Sequence, residues 1–441
     1  MEVIANVPGK NGRASIRTVP YVNGDTNQIV IVRLVRTNPK NPLRNVRMVP
    51  VGGICASNPL ATVTRAAACK RKDFRAFQSY HDQIVFNPGF LANIRGYRTL
   101  RFMDWMRTND SPQVNFTPRA LPTHQFWSTS RGVPLEVMIA LSNLMDINPW
   151  FNIPHKASNA YVTAFATLLY QQLETGRRAT IEYSNEVWNP QFLQTTYATE
   201  QGIALGLNSL EGQQDDFIGA IHFYSRRAKQ VFTLFEPARL PKVRNASLKR
   251  IRRVMATQSA NAFLTTQILQ FESGAAKVDA FAVAPYFGDT IVDLDRRNAI
   301  VAAGVDGVFN WLLNGDEALG FGSLPTVSAD IQAQFNAVKA FGKPLISYEG
   351  GQHLLGGGDF QFDDALNALF DAVNRDARMK LVYTQYLNDW RNRTGGEFTH
   401  YVNVDPFGPF GRWGAREYQS QPRSEAPKFD AIQDYTSARR L

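Results

Sequence analysis

The chain has 441 residues, of which 44% are hydrophobic and 20% charged, and its net charge is +10. This length suffices for one large domain or two ordinary ones. No run of about 18 apolar residues is present, so no membrane-spanning helix is expected. No zinc-finger spacing, RNP-like motif or Walker loop accompanies the positive charge, and nothing in the sequence therefore singles out nucleic acid as a ligand.

Two cysteines, Cys55 and Cys69, are too few for a disulfide framework or for a cysteine-based zinc site. One bridge between them is compatible with the sequence, but their spacing does not decide it. The first residues, MEVIANVPGK, lack the basic-then-apolar order of a signal peptide. The compartment is therefore left open.

Basic residues concentrate in segments 65–75 (RAAACKRKDFR) and 244–253 (RNASLKRIRR). The simplest interpretation is a solvated surface. The alternative is an anionic partner such as an acidic glycan, a protein or nucleic acid.

Residues 1–60 are predicted to be rich in β-structure. Segments 28–34 (QIVIVRL) and 45–51 (NVRMVPV) alternate apolar and basic residues, as a half-buried strand does. Residues 38–42 (NPKNP) predict a turn between them. We expect a β-hairpin or part of a small sheet.

From about residue 85 onward, short apolar runs alternate with helix-length amphipathic segments. The predicted strands are 99–104 (TLRFMD), 135–141 (LEVMIAL), 179–184 (ATIEYS), 253–257 (RVMAT), 278–286 (VDAFAVAPY), 344–349 (PLISYE) and 398–404 (FTHYVNV). Ser158 is the expected N-cap of one helix, and Asp363 opens another. Segments 329–338 and 376–390 are also predicted to be helical.

Repeated strand–helix units predict an α/β fold with a parallel sheet and outer helices. Seven strands plus one more make a (β/α)8 TIM barrel. The alternative is an open doubly wound sheet, which would want a Gly-rich first turn, and no G-x-G-x-x-G follows any predicted strand. The predicted organisation is a β-rich extension over 1–60 and a barrel domain over 61–441. The remaining barrel strand comes from residues 1–60, comes from another chain, or is absent.

Three of the predicted strands end in acids, namely Asp104, Glu186 and Glu349. Barrel enzymes carry their chemistry at the C-terminal ends of strands. Cleavage of a glycosidic bond needs two carboxyl groups facing that bond. Glu186 and Glu349 converge if the barrel closes, although a single strand-end Glu is more often a solvated rim residue. Asn185 would then offer an amide to a sugar hydroxyl, and Trp188 a surface for stacking.

The Asn185-Glu186 pair after one strand, with Glu349 ending a later strand, resembles the clan A glycoside hydrolases. In that superfamily the acid/base Glu follows an Asn at the end of strand 4, and the nucleophile ends strand 7. The phrases LRFMDWMRTN, EYSNEVWN and YEGGQHL resemble a branch described as cellulase-like or glycosyl hydrolase-like. The similarity covers roughly residues 40–420.

The resemblance implies that Glu186 is the general acid/base and Glu349 the nucleophile. Asn185 would bind the sugar 2-hydroxyl, Arg101 would steady the nucleophile, and Tyr286 would donate a hydrogen bond to it. Arg101 and Tyr286 would thereby keep Glu349 ionised, and its charge would raise the pKa of Glu186.

Three further residues belong to the predicted site or its surroundings. Trp413, after strand 8, is expected to be the platform under the sugar. His155 lines the same mouth or is an ordinary hydrogen-bonding loop residue. Asp104 supports the site or forms a salt bridge. No metal or cofactor is implied.

The expected function is a retaining glycoside hydrolase acting on β-linked polysaccharide or glycoconjugate. The alternative is a non-catalytic structural or carbohydrate-binding protein built on the same barrel, for example in a surface layer, particle or filament. The resemblance favours an extracellular or surface-associated location. The family's first barrel strand precedes its β-rich insertion, so we expect residues 1–60 or a second chain to fill that position.

Overall fold

The computed structural model describes residues 2–4, 15–17, 38–40 and 49–438. The chain forms two compact units, Met1–Val51 and Gly52–Leu441. In the first unit, strands β1 (Glu2–Ile4) and β2 (Ser15–Arg17) pair in antiparallel fashion. Residues 39–40 form the predicted turn. The predicted strand 28–34 and most of 45–51 lie outside the described residues.

The second unit begins with a small antiparallel sheet. Its strands are β3 (Gly53–Cys55), β4 (Asn58–Val63) and β5 (Phe74–Ala76), with β3 in the centre. Cys55 and Cys69 form a disulfide with Cα atoms 5.4 Å apart, which decides the question that their spacing left open. The bond ties the end of β3 to the loop before β5.

Replacing both cysteines with Ser is expected to lower the free energy of unfolding by about 2–4 kcal/mol, because the bond restricts the conformations of the unfolded chain. The bond closes a short loop, with a sequence separation of 14 residues, and its stabilising effect grows with loop length. Denaturant unfolding of the double variant measures the loss. Reduced wild-type protein is the matched control, and it should unfold at the variant's midpoint. An unchanged midpoint in both would contradict the expectation.

The remaining strands and the helices alternate along the chain. The strands are β6 (Thr99–Arg101), β7 (Asn148–Ile153), β8 (Ala179–Tyr183), β9 (Ser209–Leu210), β10 (Gln213–Gln214), β11 (Ile251–Gln258), β12 (Ala280–Ala284), β13 (Thr290–Ile291), β14 (Leu345–Ser347) and β15 (Leu355–Gly356). The α-helices are α1 (Phe77–Tyr80), α2 (Pro88–Ile94), α3 (Leu135–Met145), α4 (Asn159–Gln172), α5 (Leu193–Ala204), α6 (Asp216–Leu234), α7 (Ala262–Gln270), α8 (Leu294–Asn314), α9 (Leu324–Lys339), α10 (Asp364–Arg375), α11 (Arg378–Thr394) and α12 (Pro427–Ser437). Short 3-10 turns lie at Ala66–Ala68, Pro237–Arg239, Leu248–Arg250, Phe271–Lys277, Gly358–Phe360 and Arg423–Glu425.

The main sheet has six parallel strands in the order β6-β7-β8-β11-β12-β14. Each strand lies beside the one that precedes it in this series, with helices between them in sequence. A doubly wound sheet reverses its strand order at a switch point. The uninterrupted order is therefore that of a (β/α) barrel, and the predicted fold class is confirmed.

Apolar side chains form two separate cores on the two faces of the sheet. The larger core fills the space between the strands and the helices. The smaller core lies inside the curl of the sheet and includes Trp150, Ala280, Ala282, Ala284 and Tyr348. Side chains alternate between the two faces of a strand, so the three alanines of β12 share the inner face. These small residues leave room for the bulkier side chains of neighbouring strands.

Five of the seven predicted strands are found, but segment 135–141 is not one of them. It belongs to α3, with buried Leu135, Met138, Ile139 and Ser142 at helical spacing. The strand at this place in the sheet is β7, whose sequence NPWFNI is buried on both faces. A strand without an exposed face has no alternation to reveal it.

The predicted strand 398–404 is also wrong as a regular strand. The first part of this segment runs alongside β14. The Ser347 N–H donates to the Glu397 carbonyl at 2.9 Å, and the Tyr401 N–H donates to the Gly350 carbonyl at 3.0 Å. The backbone of Val402 then pairs with Trp413 and Ala415 instead. These groups are therefore no longer free for a ladder with β14.

The predicted helix starts are confirmed. The Ser158 side chain accepts a hydrogen bond from the Tyr161 N–H at 3.1 Å, and Asp363 accepts one from the Leu366 N–H at 2.8 Å. Helices α9 and α11 cover most of the predicted segments 329–338 and 376–390. No helix among the described residues is both long enough and apolar enough to cross a membrane.

A cavity of about 260 Å³ lies between β6 and segment 397–403. Helices α2, α11 and α12 contribute apolar side chains to its wall, and Asp104 and Glu349 lie at its lining. Among the described residues no strand occupies this position. That residues 1–60 or a second chain supply such a strand stays a prediction.

Candidate active site

The predicted site residues lie at one edge of the parallel sheet. Arg101 is the last residue of β6, and Asn185 and Glu186 follow the end of β8. Tyr286 follows β12, and Glu349 follows β14. Since the strands are parallel, their C-terminal ends meet at the same edge, which brings these side chains together.

The backbone after β8 is strongly bent. Ser184 and Glu186 have φ angles of 61° and 40°, in the left-handed region that residues with a Cβ rarely adopt. Hydrogen bonds hold the bend, since the Asn152 amide donates to the Ser184 carbonyl at 2.7 Å and the Ser184 N–H to the Ile153 carbonyl at 2.7 Å. Two successive turns of this kind direct both Asn185 and Glu186 into the site. Strained backbone of this kind is concentrated at functional sites.

Glu186 and Glu349 lie near each other, since the charge of Glu186 raises the pKa of Glu349. Glu349 is only 6% exposed. Burial raises the pKa of Glu349 well above its usual value; Arg101 opposes this, while the charges of Glu186 and Asp104 add to it. Arg101 thus acts against burial, and the ionised state expected for Glu349 stays a prediction.

Two side chains donate hydrogen bonds to the Glu186 carboxyl group. The Tyr348 hydroxyl donates to Oε1 at 2.9 Å, and the Asn189 amide donates to Oε2 at 2.9 Å. Tyr348 is itself buried inside the curl of the sheet. These bonds fix the direction from which Glu186 faces Glu349.

Arg101 is the basic group at the centre of the site. Its Nη1 lies 3.5 Å from Glu349 Oε2, and its Nη2 donates to Asn185 Oδ1 at 2.8 Å. Asn185 in turn donates to Asn109 Oδ1 at 3.0 Å. Arg101 thus contacts the carboxyl group predicted to be the nucleophile and orients the amide next to the predicted acid/base.

Aromatic rings border the acidic pair. The Tyr286 and Trp413 ring centroids are 5.6 Å apart, and Trp413 also lies 6.0 Å from Tyr401. Burial, together with the nearby charges of Glu349 and Glu186, raises the pKa of Tyr286 well above its usual value. Among the described residues, no hydrogen bond joins the Tyr286 hydroxyl to Glu349, so the donor role predicted for Tyr286 stays a prediction.

Two other predicted site residues are directed towards the interior of the fold. Trp188 packs against the large core, and its indole N–H is buried. His155 is 2% exposed and packs edge-on against Tyr197, with ring centroids 5.3 Å apart. Burial lowers the pKa of His155 to about 4. His155 is therefore a buried neutral side chain and not a surface residue.

Several residues of the site were not singled out from the sequence. Glu182 and Trp150 contact Arg101. Burial, together with the nearby charges of Asp104 and Glu349, raises the pKa of Tyr401. Glu182 carried a signal, since it is a charged residue inside an apolar strand that is buried along its whole length. Tyr348 adjoins Glu349 in sequence, but only the fold shows that it faces Glu186.

The described residues contain one group of potential metal ligands, Cys55, Cys69 and Asp73. Both cysteines are committed to the disulfide, so this group does not form a metal site.

No protein-family model matches the sequence, and no curated protein sequence matches it. Solved structures with a related arrangement include a 4-O-α-L-rhamnosyl-β-D-glucuronidase from Fusarium oxysporum, at 11% identity and a TM-score of 0.42. The match covers 79% of this chain and 63% of the enzyme. A Bacteroidetes-affiliated GH5 cellulase matches at 10% identity and a TM-score of 0.43, over 79% of this chain and 82% of the cellulase. The family 1 β-glucosidase from Thermotoga maritima matches at 12% identity and a TM-score of 0.37, over 68% and 76% of the two chains.

Proposed function

We propose that the protein is a retaining glycoside hydrolase that acts on β-linked carbohydrate. Glu349 is the nucleophile and Glu186 the general acid/base. The observation that carries the proposal is the convergence of the two carboxyl groups at the C-terminal edge of the sheet, where Tyr348 donates to Glu186 and Arg101 contacts Glu349. A retaining mechanism needs one carboxyl group that attacks the sugar and a second that delivers a proton to the leaving oxygen.

The grouping of the two acids around Arg101 favours retention over inversion. Inverting sites hold their carboxyl groups about 6.5–9.5 Å apart to admit a water molecule between them and the sugar. Retaining sites hold them about 5–5.5 Å apart. Arg101 contacts both Glu349 and Asn185, the neighbour of Glu186, and this compact arrangement supports the shorter spacing.

The surroundings support this division of the two roles. Arg101 contacts Glu349, and a neighbouring cation favours the ionised form that a nucleophile requires. Tyr348 and Asn189 hold Glu186, whose proton must reach the leaving oxygen in a fixed direction. In this role Glu186 delivers its proton to the leaving oxygen of the bound sugar. Asn185 and the Trp413 ring then contact the sugar.

The proposal is tested by the anomer first released from aryl β-glycosides of glucose, mannose and galactose. We expect the β-anomer in ¹H NMR spectra recorded before mutarotation. An α-anomer would assign an inverting mechanism instead. Binding of oligosaccharides without hydrolysis of any glycoside would identify a non-catalytic carbohydrate-binding barrel.

The anionic partner inferred from the basic segments fits segment 65–75 better than segment 244–253, although Arg244 and Lys249 of the latter are also exposed. In segment 244–253, Arg250 donates to the backbone carbonyls of Tyr170 and Asn245, and Arg253 pairs with Asp279. In segment 65–75, by contrast, Lys70, Arg71 and Lys72 are exposed beside the disulfide. An acidic glycan or protein would therefore contact this loop.

The barrel strand expected from residues 1–60 or from a second chain would lie beside β6. The cavity between β6 and segment 397–403 supports this proposal.

A further inference from the structure

Glu182 is an acidic residue buried in the middle of β8, and no role has so far been assigned to it. Its side chain is 1% exposed. Its Oε2 accepts hydrogen bonds from Arg101 Nη2 at 3.0 Å, Arg101 Nε at 3.2 Å and Trp150 Nε1 at 2.8 Å. Its Oε1 accepts a further bond from Arg101 Nη2 at 3.2 Å. A buried charge with this many donors is held in one orientation.

The guanidinium group of Arg101 is divided between two carboxyl groups. Nε and Nη2 bind Glu182, and Nη1 is the nitrogen that lies near Glu349, at 3.5 Å. The contacts to Glu182 are shorter and bidentate, so Glu182 is the closer ion-pair partner of the guanidinium group. A bidentate pair also fixes the plane of the guanidinium.

We propose that Glu182 is a positioning residue that acts on Glu349 through Arg101. By binding Nε and Nη2, Glu182 directs Nη1 at the nucleophile, and by its own charge it limits how strongly Arg101 favours the ionised nucleophile. This inference rests on the proposed function and goes beyond it, because it assigns control of the nucleophile to a residue that does not touch the sugar.

The arrangement links the orientation of Arg101 to its electrostatic effect on Glu349. If Arg101 acted on Glu349 alone, it would favour the ionised form of Glu349 more strongly. With Glu182 bound to Nε and Nη2, this effect is weaker while Nη1 stays directed at Glu349. Burial raises the pKa of Glu182 itself, while Arg101, Trp150 and Asn152 counter this through charge and hydrogen bonds.

Other titratable groups face Glu349 and Glu182, and the substitutions at Glu182 leave these groups unchanged. Around Glu349 these are Arg101, Asp104, Glu186, Tyr286, Tyr348 and Tyr401. Tyr224 of α6 faces Glu182, and its hydroxyl accepts a hydrogen bond from the Ala256 N–H at 2.7 Å.

The test is the pH profile of kcat/KM for Glu182→Gln. Gln keeps the shape of the side chain and one acceptor oxygen but removes the charge. Arg101 then acts on Glu349 without opposition, so the acid limb of the profile should move to lower pH by about one unit. The rate at the optimum should fall by about 10- to 100-fold, because Arg101 is less firmly oriented. A merely structural role would lower the rate or the melting temperature and leave the acid limb in place.

Glu182→Asp is the matched control. It retains the charge but shortens the side chain, so the acid limb should stay in place or move to higher pH while kcat falls. Equal acid limbs in the wild type and the Gln variant would overturn the proposal. If the Gln variant does not fold, the Asp variant decides, and wild-type kcat in that variant would overturn the proposal.

A measurement that does not depend on turnover separates this inference from the proposed function. The Glu349 carboxyl carbon is observed by ¹³C NMR in Glu-labelled protein and assigned by its loss in Glu349→Gln. In Glu182→Gln, Glu349 should titrate at lower pH than in the wild type. If the wild type hydrolyses no glycoside but this shift occurs, the proposed function fails and the inference holds. Without the shift, the inference fails whatever the activity.

Discussion

Replacing Glu349 with Gln is expected to lower kcat by at least about 10⁴-fold, because the carbonyl oxygen of Gln does not form the covalent glycosyl intermediate. The change is isosteric, and it keeps an acceptor for Arg101 Nη1. We therefore expect the fold and oligosaccharide binding to be retained. Initial rates on an aryl β-glycoside measure the loss, and Glu200→Gln on the exposed surface of α5 is the matched control. Residual turnover within tenfold of the wild type would show that Glu349 is not the nucleophile.

The same variant is expected to be more stable than the wild type at neutral pH. Burial raises the pKa of Glu349 in the folded protein above the value of about 4.3 for an unfolded chain. A raised pKa of an acid costs stability as the pH rises from the unfolded value through the folded one, since only the unfolded chain releases the proton freely. Each unit of that shift corresponds to about 1.4 kcal/mol.

Gln bears no such cost, so its melting temperature should exceed that of the wild type at pH 7, and the difference should shrink towards pH 4. Below the unfolded pKa both states of the wild type hold the proton, and the two proteins should then melt together. Melting curves at the two pH values provide the measurement. A wild type that is more stable at pH 7 would indicate that Arg101 outweighs burial at Glu349.

The sequence predicted the parts of the fold and the site that depend on local pattern. Glu186 and Glu349 end short apolar runs, and the ends of parallel strands meet at one edge, so their convergence followed once the strands were recognised. The Ser158 and Asp363 caps followed from residue type and spacing. Segment 135–141 was misassigned because a short apolar run fits a buried helix as well as a strand.

Side-chain contacts between different strands of the barrel could not be predicted from the sequence. Arg101 and Glu182 are 81 residues apart, and their contact depends on which strand faces point inward. Nor does the sequence show that the alanines of β12 leave the space that Trp150 and Tyr348 occupy. The balance of charge at Glu349 depends on burial and on three surrounding groups at once, so its raised pKa opposes the simple expectation drawn from Arg101.

Glu186→Gln is expected to lower kcat by about 10²–10⁴-fold on substrates with poor leaving groups, because the leaving oxygen then departs without a proton. An aryl β-glycoside with a strongly acidic phenol needs no proton for the first step. With such a substrate, the glycosyl-enzyme should form rapidly and hydrolyse slowly, since no base activates the water. Stopped-flow traces should show a burst of phenolate equal to the enzyme concentration.

Azide distinguishes the two carboxyl groups in this variant. Azide attacks the glycosyl-enzyme without needing a base, so it should restore turnover of Glu186→Gln and yield a β-glycosyl azide. It should not restore β-product formation in Glu349→Gln, which forms no glycosyl-enzyme. A burst in the Glu349 variant and none in the Glu186 variant would exchange the two roles. If the roles were exchanged, Arg101 would contact the acid/base instead of the nucleophile. A cation beside an acid/base favours its ionised form and so opposes proton delivery. The position of Arg101 therefore predicts the azide result expected for Glu349 as the nucleophile.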